Sequence, residues 1–299
     1  MLLAGDVGGT KALLALFERG APAPAFELRL ASAEFPDFES LLGRFLDEAR
    51  AGLGGAPRVA SACLGVAGPV RAELVRVTNL PWTIDAAQLR RRFAIGRLEL
   101  VNDFAATAWG VGALAPQDLF TLQAGEPIED APRVVLGAGT GFGVAYVVRG
   151  VPVAGEGGHG GFAPAGIEQD ALWRFVHERL GRVQLEDVVS GPGLARIHEF
   201  MSGERAAPED AAPQALDLFI ACFGAAAGDH ALNVMARGGV YVAGGIAARI
   251  LPRLAAGGFL AAFNDKGGFA EHTRKMPVHV VTNERVALFG AATAAAREG

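Results

Sequence analysis

LAGDVGGTKALLALFERG (residues 3–20) and LGAGTGFGVAYVVRG (residues 136–150) are two versions of one device. Each is an apolar strand, a glycine-rich turn carrying a threonine, and a second apolar strand ending in Arg-Gly. Such a turn exposes backbone N–H groups and keeps side chains out of the way, which is what a phosphate chain needs around it. Its appearance once near the start of each half predicts two lobes that grip one nucleotide from opposite sides.

Working outward from the first hairpin, the pattern predicts strands over 2–7, 12–18 and about 26–33. A helix follows over 37–53, with Phe38, Leu41, Leu42, Phe45 and Leu46 at helical spacing. The continuous apolar run 59–66 reads as a strand buried on both faces. Asp85 is placed to cap a helix over 86–93, ahead of a strand over 98–101 and a helical run over 105–111. The second half repeats the scheme, with strands over 133–137 and 143–149 and a glycine-rich polar segment over 155–166. Helices are expected over 168–180, 191–201 and 214–236, with a Pro/Ala/Glu loop at 203–213. A strand over 240–243 runs into Gly244-Gly245, and a last strand over 278–281 precedes a helix from about Asn283. The alternation is that of an α/β protein.

A chain of 299 residues accommodates two ordinary domains, and a 51% apolar content supplies two cores. Glycine is in excess, at 41 residues, but in short clusters between apolar runs, so it marks turns rather than low complexity. The net charge of −5 comes without a basic stripe or a run of like charges, which argues against nucleic acid and anionic membrane as partners. Cys63 and Cys222 each sit inside an apolar run and read as buried hydrophobes in a reducing compartment. Strand-like residues begin at Leu2, so no signal peptide is expected. The most apolar helical stretch, 216–227, is interrupted by Asp217 and falls short of the ~20 residues that span a bilayer. The expectation is a soluble, cytoplasmic protein.

Chemistry concentrates at strand ends. In Gly5-Asp6-Val7-Gly8-Gly9-Thr10-Lys11, Asp6 ends an apolar strand where its carboxylate could hold a hydrated Mg²⁺. Gly8 and Gly9 let backbone approach phosphate oxygens, and Thr10 and Lys11 add donors. The plain alternative is an ordinary hairpin with an Asx turn. The spacing is neither a Walker A loop nor G-x-G-x-x-G. Gly139-Thr140-Gly141 forms a second grip, where four glycines in residues 137–143 exceed what a hairpin needs. Gly244-Gly245 is a third candidate, suited to a flat base or ribose lying on backbone. The three in this order are a far stronger signal than any one of them.

Asn102 and Asp103 arrive together at a strand end before a helical run. One of them suits an N-cap, which leaves the other unexplained. A carboxylate there could accept a proton from an attacking hydroxyl. Glu156 and His159 sit among glycines where no packing requires them, and Glu186 precedes the Ser190-Gly191-Pro192 helix start. Three carboxylates, an amide and an imidazole, with no cationic cluster among them, suit a neutral, hydroxyl-rich ligand such as a sugar. Metal binding by Glu156 and His159 is disfavoured, because Gly157 and Gly158 argue against the helix that would align them.

Eight segments together resemble the bacterial glucokinases of the hexokinase, Hsp70 and actin-like superfamily. They are GDVGGTKALLALF (5–17), LGVAGPV (64–70), TNLPW (78–82), LVNDFAATAWG (100–110), LGAGTGFGVA (136–145), GEGGHGGFAP (155–164), EDVVSGPGL (186–194) and VAGGIAARI (242–250). The resemblance covers nearly the whole chain, and TNLPW and GEGGH are its most specific parts. It implies the two-lobe actin-like ATPase (ribonuclease H-like) fold with an interdomain cleft. The small α/β domain would be 1–104 plus 283–299 and the large one 105–282. It implies that Asn102, Asp103, Glu156, His159 and Glu186 bind glucose hydroxyls, with Asp103 the base at the 6-hydroxyl. Gly5, Asp6, Val7, Gly8, Gly9, Thr10, Lys11, Gly139, Thr140, Gly141, Gly244 and Gly245 would hold Mg·ATP, with Asp6 toward the metal. Lys11 departs from the Asn that follows GGT in many members and matches the related repressor/ORF/kinase sugar kinases. This chain lacks the cysteine-rich zinc site usual in those relatives.

The activity implied is glucose phosphorylation by ATP, in a homodimer. The alternative within the enzymes is a kinase of another hexose, mannose or fructose. A sugar-responsive regulator would need a DNA-binding module and a basic patch that this sequence does not offer. A chaperone or filament ATPase would have no use for the Asp103, Glu156, His159 and Glu186 set.

Overall fold

A computed structural model describes residues 1–297, so the last two positions of the expected 283–299 segment lie outside the described residues. The chain divides into two compact units, Met1–Leu114 with Arg285–Gly299, and Ala115–Glu284.

The first unit is built on β1 (Leu2–Val7), β2 (Lys11–Phe17), β3 (Phe26–Ala31) and β4 (Ser61–Val66). A small antiparallel sheet of β5 (Val70–Arg71), β6 (Leu74–Arg76) and β7 (Thr83–Asp85) is inserted before β8 (Arg97–Asn102). The main sheet has the order β3-β2-β1-β4-β8, with the first three strands antiparallel and β1, β4 and β8 parallel. β4 is buried at every residue, as its unbroken apolar run predicts. The helix expected over 37–53 runs Phe38–Leu53. Asp37 caps it by accepting from the Ser40 N–H at 2.7 Å, and Gly54 ends it at φ 72°. Phe38, Leu41, Leu42, Phe45 and Ala49 form its buried stripe against one face of the sheet, each large side chain worth about 1.5–3 kcal/mol on burial. Asp85 caps the helix Ala86–Phe93 through the Gln88 N–H at 2.9 Å.

The opposite face is covered by the helix Val286–Ala296, whose Leu288, Ala291, Ala294 and Ala295 pack with Leu2, Ala4, Leu13, Ala15, Phe17 and Cys63. That helix also meets the helix Asp103–Gly110 at backbone distance. A Cβ on Gly290 would lie 1.7 Å from the Ala106 carbonyl oxygen, and one on Gly110 would lie 1.9 Å from that of Val286. The helix Asp103–Gly110 thus packs within the first unit, which runs to Leu114.

The second unit repeats the topology. It contains β9 (Leu119–Gln123), β10 (Arg133–Ala138), β11 (Phe142–Val148), β12 (Val151–Gly155), β13 (Gly239–Ala243) and β14 (Val278–Val281), in the order β12-β11-β10-β13-β14-β9. Here β10, β11 and β12 are the antiparallel meander, and β10, β13 and β14 run parallel. β9 is an extra antiparallel edge strand.

The helix Pro213–Val234 lies in this unit's core, burying Leu218, Phe219, Cys222 and Phe223. At 22 residues it is longer than the 216–227 run, and by length and composition it is apolar enough to cross a membrane; 67% of its apolar stretch is buried inside the protein. Burial pushes both cysteine thiols up to about 12, which removes them as nucleophiles at neutral pH.

Candidate functional site

In the first unit the parallel strands β1, β4 and β8 end together: Asp6 pairs with Gly65, Val7 with Val66, and Val66 with Asn102. Asp6 and the Asn102-Asp103 pair therefore share the carboxyl edge of the sheet, two strand spacings or about 10 Å apart. Ligands of open α/β sheets bind at that edge. The turn joining β1 to β2 is closed by the Gly8 N–H donating to the Lys11 carbonyl at 2.9 Å. Ser32, fully buried at the end of β3, holds it from behind: its Oγ donates to the Gly8 carbonyl at 2.9 Å and its N–H to that of Thr10 at 3.0 Å.

Gly5 and Val7 are buried, whereas Thr10 and Lys11 are exposed. A side chain on Gly5 would strike Leu64 and Leu14 at 2.6 and 2.7 Å, so that glycine serves strand packing. The edge of Asp6 reaches solvent, yet its carboxyl is deep enough that burial pushes its pKa above the usual carboxylate value, with the charges of Lys11 and Arg29 opposing.

Both side chains of the adjacent pair accept from the start of the helix that follows. Asn102 caps the helix Asp103–Gly110, its Oδ1 accepting from the N–H groups of Phe104 at 2.9 Å and Ala105 at 3.4 Å. Its amide nitrogen makes no hydrogen bond among the described residues. Asp103 is the first helical residue, and its Oδ1 accepts from the Phe104 N–H at 2.9 Å. A carboxylate in that first turn is favoured by the helix dipole.

In the second unit the turn from β10 to β11 carries one side chain, the exposed Thr140, between Gly139 and Gly141. The Gly139 N–H donates to the Gly141 carbonyl at 2.8 Å, and the Gly191 N–H donates to the Gly139 carbonyl at 2.8 Å. A Cβ on Gly139 would meet nothing within 4 Å. Gly244 follows β13 at φ 91°, and a Cβ there would lie 2.9 Å from the Ala138 carbonyl; Gly245 faces open space. Since Gly137 pairs with Ala243, the two glycine segments are neighbours at one sheet edge. Beside them lies a cavity of about 240 Å³ walled by Leu194, Pro208, Leu216, Ile246 and Ile250, with Glu209 and Arg249.

Glu156, His159 and Glu186 converge. His159 Nδ1 is 2.7 Å from Gln184 Oε1 and 3.3 Å from Glu186 Oε1, and its Nε2 is 4.0 Å from Glu156 Oε2. Two acceptors facing Nδ1 assign it a proton, which makes His159 a donor to Gln184 and Glu186. The convergence has a backbone cause. The Leu185 N–H donates to the Gly160 carbonyl at 2.8 Å and the Phe162 N–H to that of Val183 at 3.1 Å, stitching the two segments together. Glu186 also reaches the glycine turn: its Oε2 accepts from the Phe142 N–H at 3.4 Å and sits 2.7 Å from where a Gly141 Cβ would be.

Gln184, Ser32 and the apolar cavity walls are absent from the sequence-based set. Gln184 had one available signal, its position two residues before Glu186.

The glucokinase family model matches residues 3–298. The chain belongs to the glucokinase family. The glucokinase of Synechocystis sp. is 37% identical, across 99% of this chain and 98% of its own length. The crystal structure of a glucokinase from an Antarctic psychrotroph superposes with a TM-score of 0.87 at 29% identity, covering 98% of both chains. A ROK family glucokinase from Streptomyces griseus, solved with glucose and AMPPNP, covers 98% of each chain at a TM-score of 0.65 and 18% identity, a likeness of fold alone. The fold is thus the two-lobe actin-like ATPase fold of the glucokinases, and family membership makes the chain a hexose kinase, a transferase.

Proposed function

We propose that this chain transfers the γ-phosphoryl group of ATP to the 6-hydroxyl of glucose, giving glucose 6-phosphate and ADP. The observation that carries the reading is the placement of Asp6, Asn102 and Asp103 together at the carboxyl edge of the first sheet, where ligands of open α/β sheets bind. Asp103 holds the 6-hydroxyl, orients it for in-line attack and takes its proton. Glu156, His159 and Glu186 bind neighbouring sugar hydroxyls, and Asn102 donates through its amide nitrogen. The amides of the 8–11 and 139–141 turns cradle the phosphates, and the base takes the apolar cavity beside Gly245.

The residues fit magnesium of the kind that arrives with a nucleotide. Asp6 is one half-buried carboxylate at a strand end, and among the described residues no group of three or more His, Cys, Asp or Glu side chains could cage an ion. Bound with ATP, Mg²⁺ supplies charge neutralisation at the phosphate oxygens, with most of its ligands from phosphate and water. By resemblance to the family, the reading extends to a cytoplasmic homodimer acting at the entry to glycolysis.

The test is a coupled assay for glucose 6-phosphate across a panel of hexoses, on the wild type and Asp103→Asn. Wild-type turnover with glucose is expected, with kcat lowered about 10²–10⁴-fold in the variant while glucose binding persists. Near-normal kcat in Asp103→Asn would remove the base, and preference for mannose or fructose would replace the substrate.

A further inference from the structure

The turn that carries Glu156 and His159 stands on a second histidine. A Cβ on Gly157 would lie 2.7 Å from His230 Cε1, so the backbone of the turn rests directly on that imidazole. The ring is clamped on its other sides. Its Nδ1 is 2.8 Å from the Tyr146 hydroxyl, and the Phe142 ring stacks on it with centroids 6.1 Å apart and planes 23° apart. Asn233 Nδ2 donates to the Tyr146 oxygen at 3.5 Å, which directs the phenolic O–H toward His230 Nδ1. Burial lowers the His230 pKa, with Asp229 opposing, so the ring is neutral and its Nδ1 can accept. Beside it, under the same turn, is a cavity of about 140 Å³ whose walls include Gly160, Gly161, Leu185, Cys222 and Ala226. The turn therefore has an imidazole under one part and empty space under the next.

We propose that His230, held by Tyr146, is a positioning residue that sets the height of the Glu156–His159 turn and through it the affinity for sugar. The cavity is the space into which the turn sinks when the ring is removed. This rests on the glucokinase reading for its readout. Glu156 and His159 are exposed and ride on glycines, so the floor of the turn fixes their coordinates. A displacement near 1 Å at such groups can cost about 10²-fold.

The experiment compares wild type, His230→Ala and Tyr146→Phe. KM for glucose is expected to rise about tenfold or more in His230→Ala and by a smaller factor in Tyr146→Phe, with kcat and KM for ATP within about twofold of wild type. Added imidazole, filling the vacated space, is expected to lower the glucose KM of His230→Ala. A glucose KM unchanged in both variants overturns the proposal, and so does a parallel loss in kcat, both KM values and Tm. If His230→Ala does not fold, Tyr146→Phe decides. If the wild type does not phosphorylate glucose, the functional reading fails by itself. Amide exchange at 156–161 then still judges the floor: faster in His230→Ala supports it, unchanged refutes it.

Discussion

The two glycine turns are near copies in sequence and differ in what surrounds them. The first, at 8–11, brings its own charges: Asp6 precedes it and Lys11 ends it. It is tied down by one serine just past β3, Ser32. The second, at 139–141, has no charged side chain and leaves Gly139 open to space. It borrows its order from a helix start at Gly191 and a carboxylate at Glu186. The same local device carries charged side chains in one unit and none in the other. The contacts that hold each turn come from residues far away in sequence.

The largest expected effect separates charge from shape. Asp6→Asn keeps the size of the side chain and the turn around it, and is expected to lower kcat roughly 10²-fold. It is also expected to raise Tm at neutral pH. The folded carboxyl has its pKa raised above the ordinary 3.8 by burial, so folding favours the protonated form. Stability is therefore lost as pH climbs through the folded value, and an amide escapes that loss. Below 3.8 both states of the wild type are protonated and the variant's advantage disappears. Thermal denaturation of both proteins at pH 7 and pH 3 reads this directly. A lower Tm for Asp6→Asn at pH 7 would show that the carboxylate is held by favourable contacts.

A smaller effect divides the second turn within itself. Gly141→Ala places a methyl 2.7 Å from Glu186 Oε2, so the carboxylate must move. Glucose KM is expected to rise about tenfold, with a rise in ATP KM beside it. Gly139→Ala meets nothing, so Tm and glucose KM are expected to hold while ATP KM rises several-fold because the phosphate can no longer approach the amides. Steady-state kinetics on the two alanines suffices. If both variants raise only the ATP KM, Glu186 is not coupled to the turn.

What the sequence made legible was local. Each hairpin, the Asp85 cap and the placing of the Asn102-Asp103 pair at a strand end before a helix are written in consecutive residues. What it hid was long-range or at an edge. Ser32 reads as one more serine until β3 brings it under the Gly8 carbonyl. Gln184 and His230 acquire meaning only when the 157–162 and 183–187 segments and the helix Pro213–Val234 come together. β12 contains Pro152, a strand breaker in the interior that is admissible on this outermost strand. The packing of 103–110 against the helix Val286–Ala296 depends on Gly290 and Gly110, where missing side chains permit helix contact and periodicity carries no sign of it.

The smallest expected effects test the two serine tethers. Ser190 caps the helix Gly191–Ser202, its Oγ accepting from the Gly193 N–H at 2.9 Å and donating to the Glu186 carbonyl at 2.6 Å. Ser190→Ala is expected to cost about 1 kcal/mol, or ~2–4 °C in Tm. Glucose KM should shift a few-fold, because the Glu186 backbone loses its anchor. Ser32→Ala leaves no helix uncapped, and its loss falls on the Gly8 carbonyl, again about 1 kcal/mol. Its kinetic mark should be on ATP alone. Since the two substitutions are chemically identical and near equal in cost, opposite kinetic signatures can arise only from which turn each serine serves. Identical signatures would mean that the turns act as one unit and that the contrast between them stops at the level of contacts.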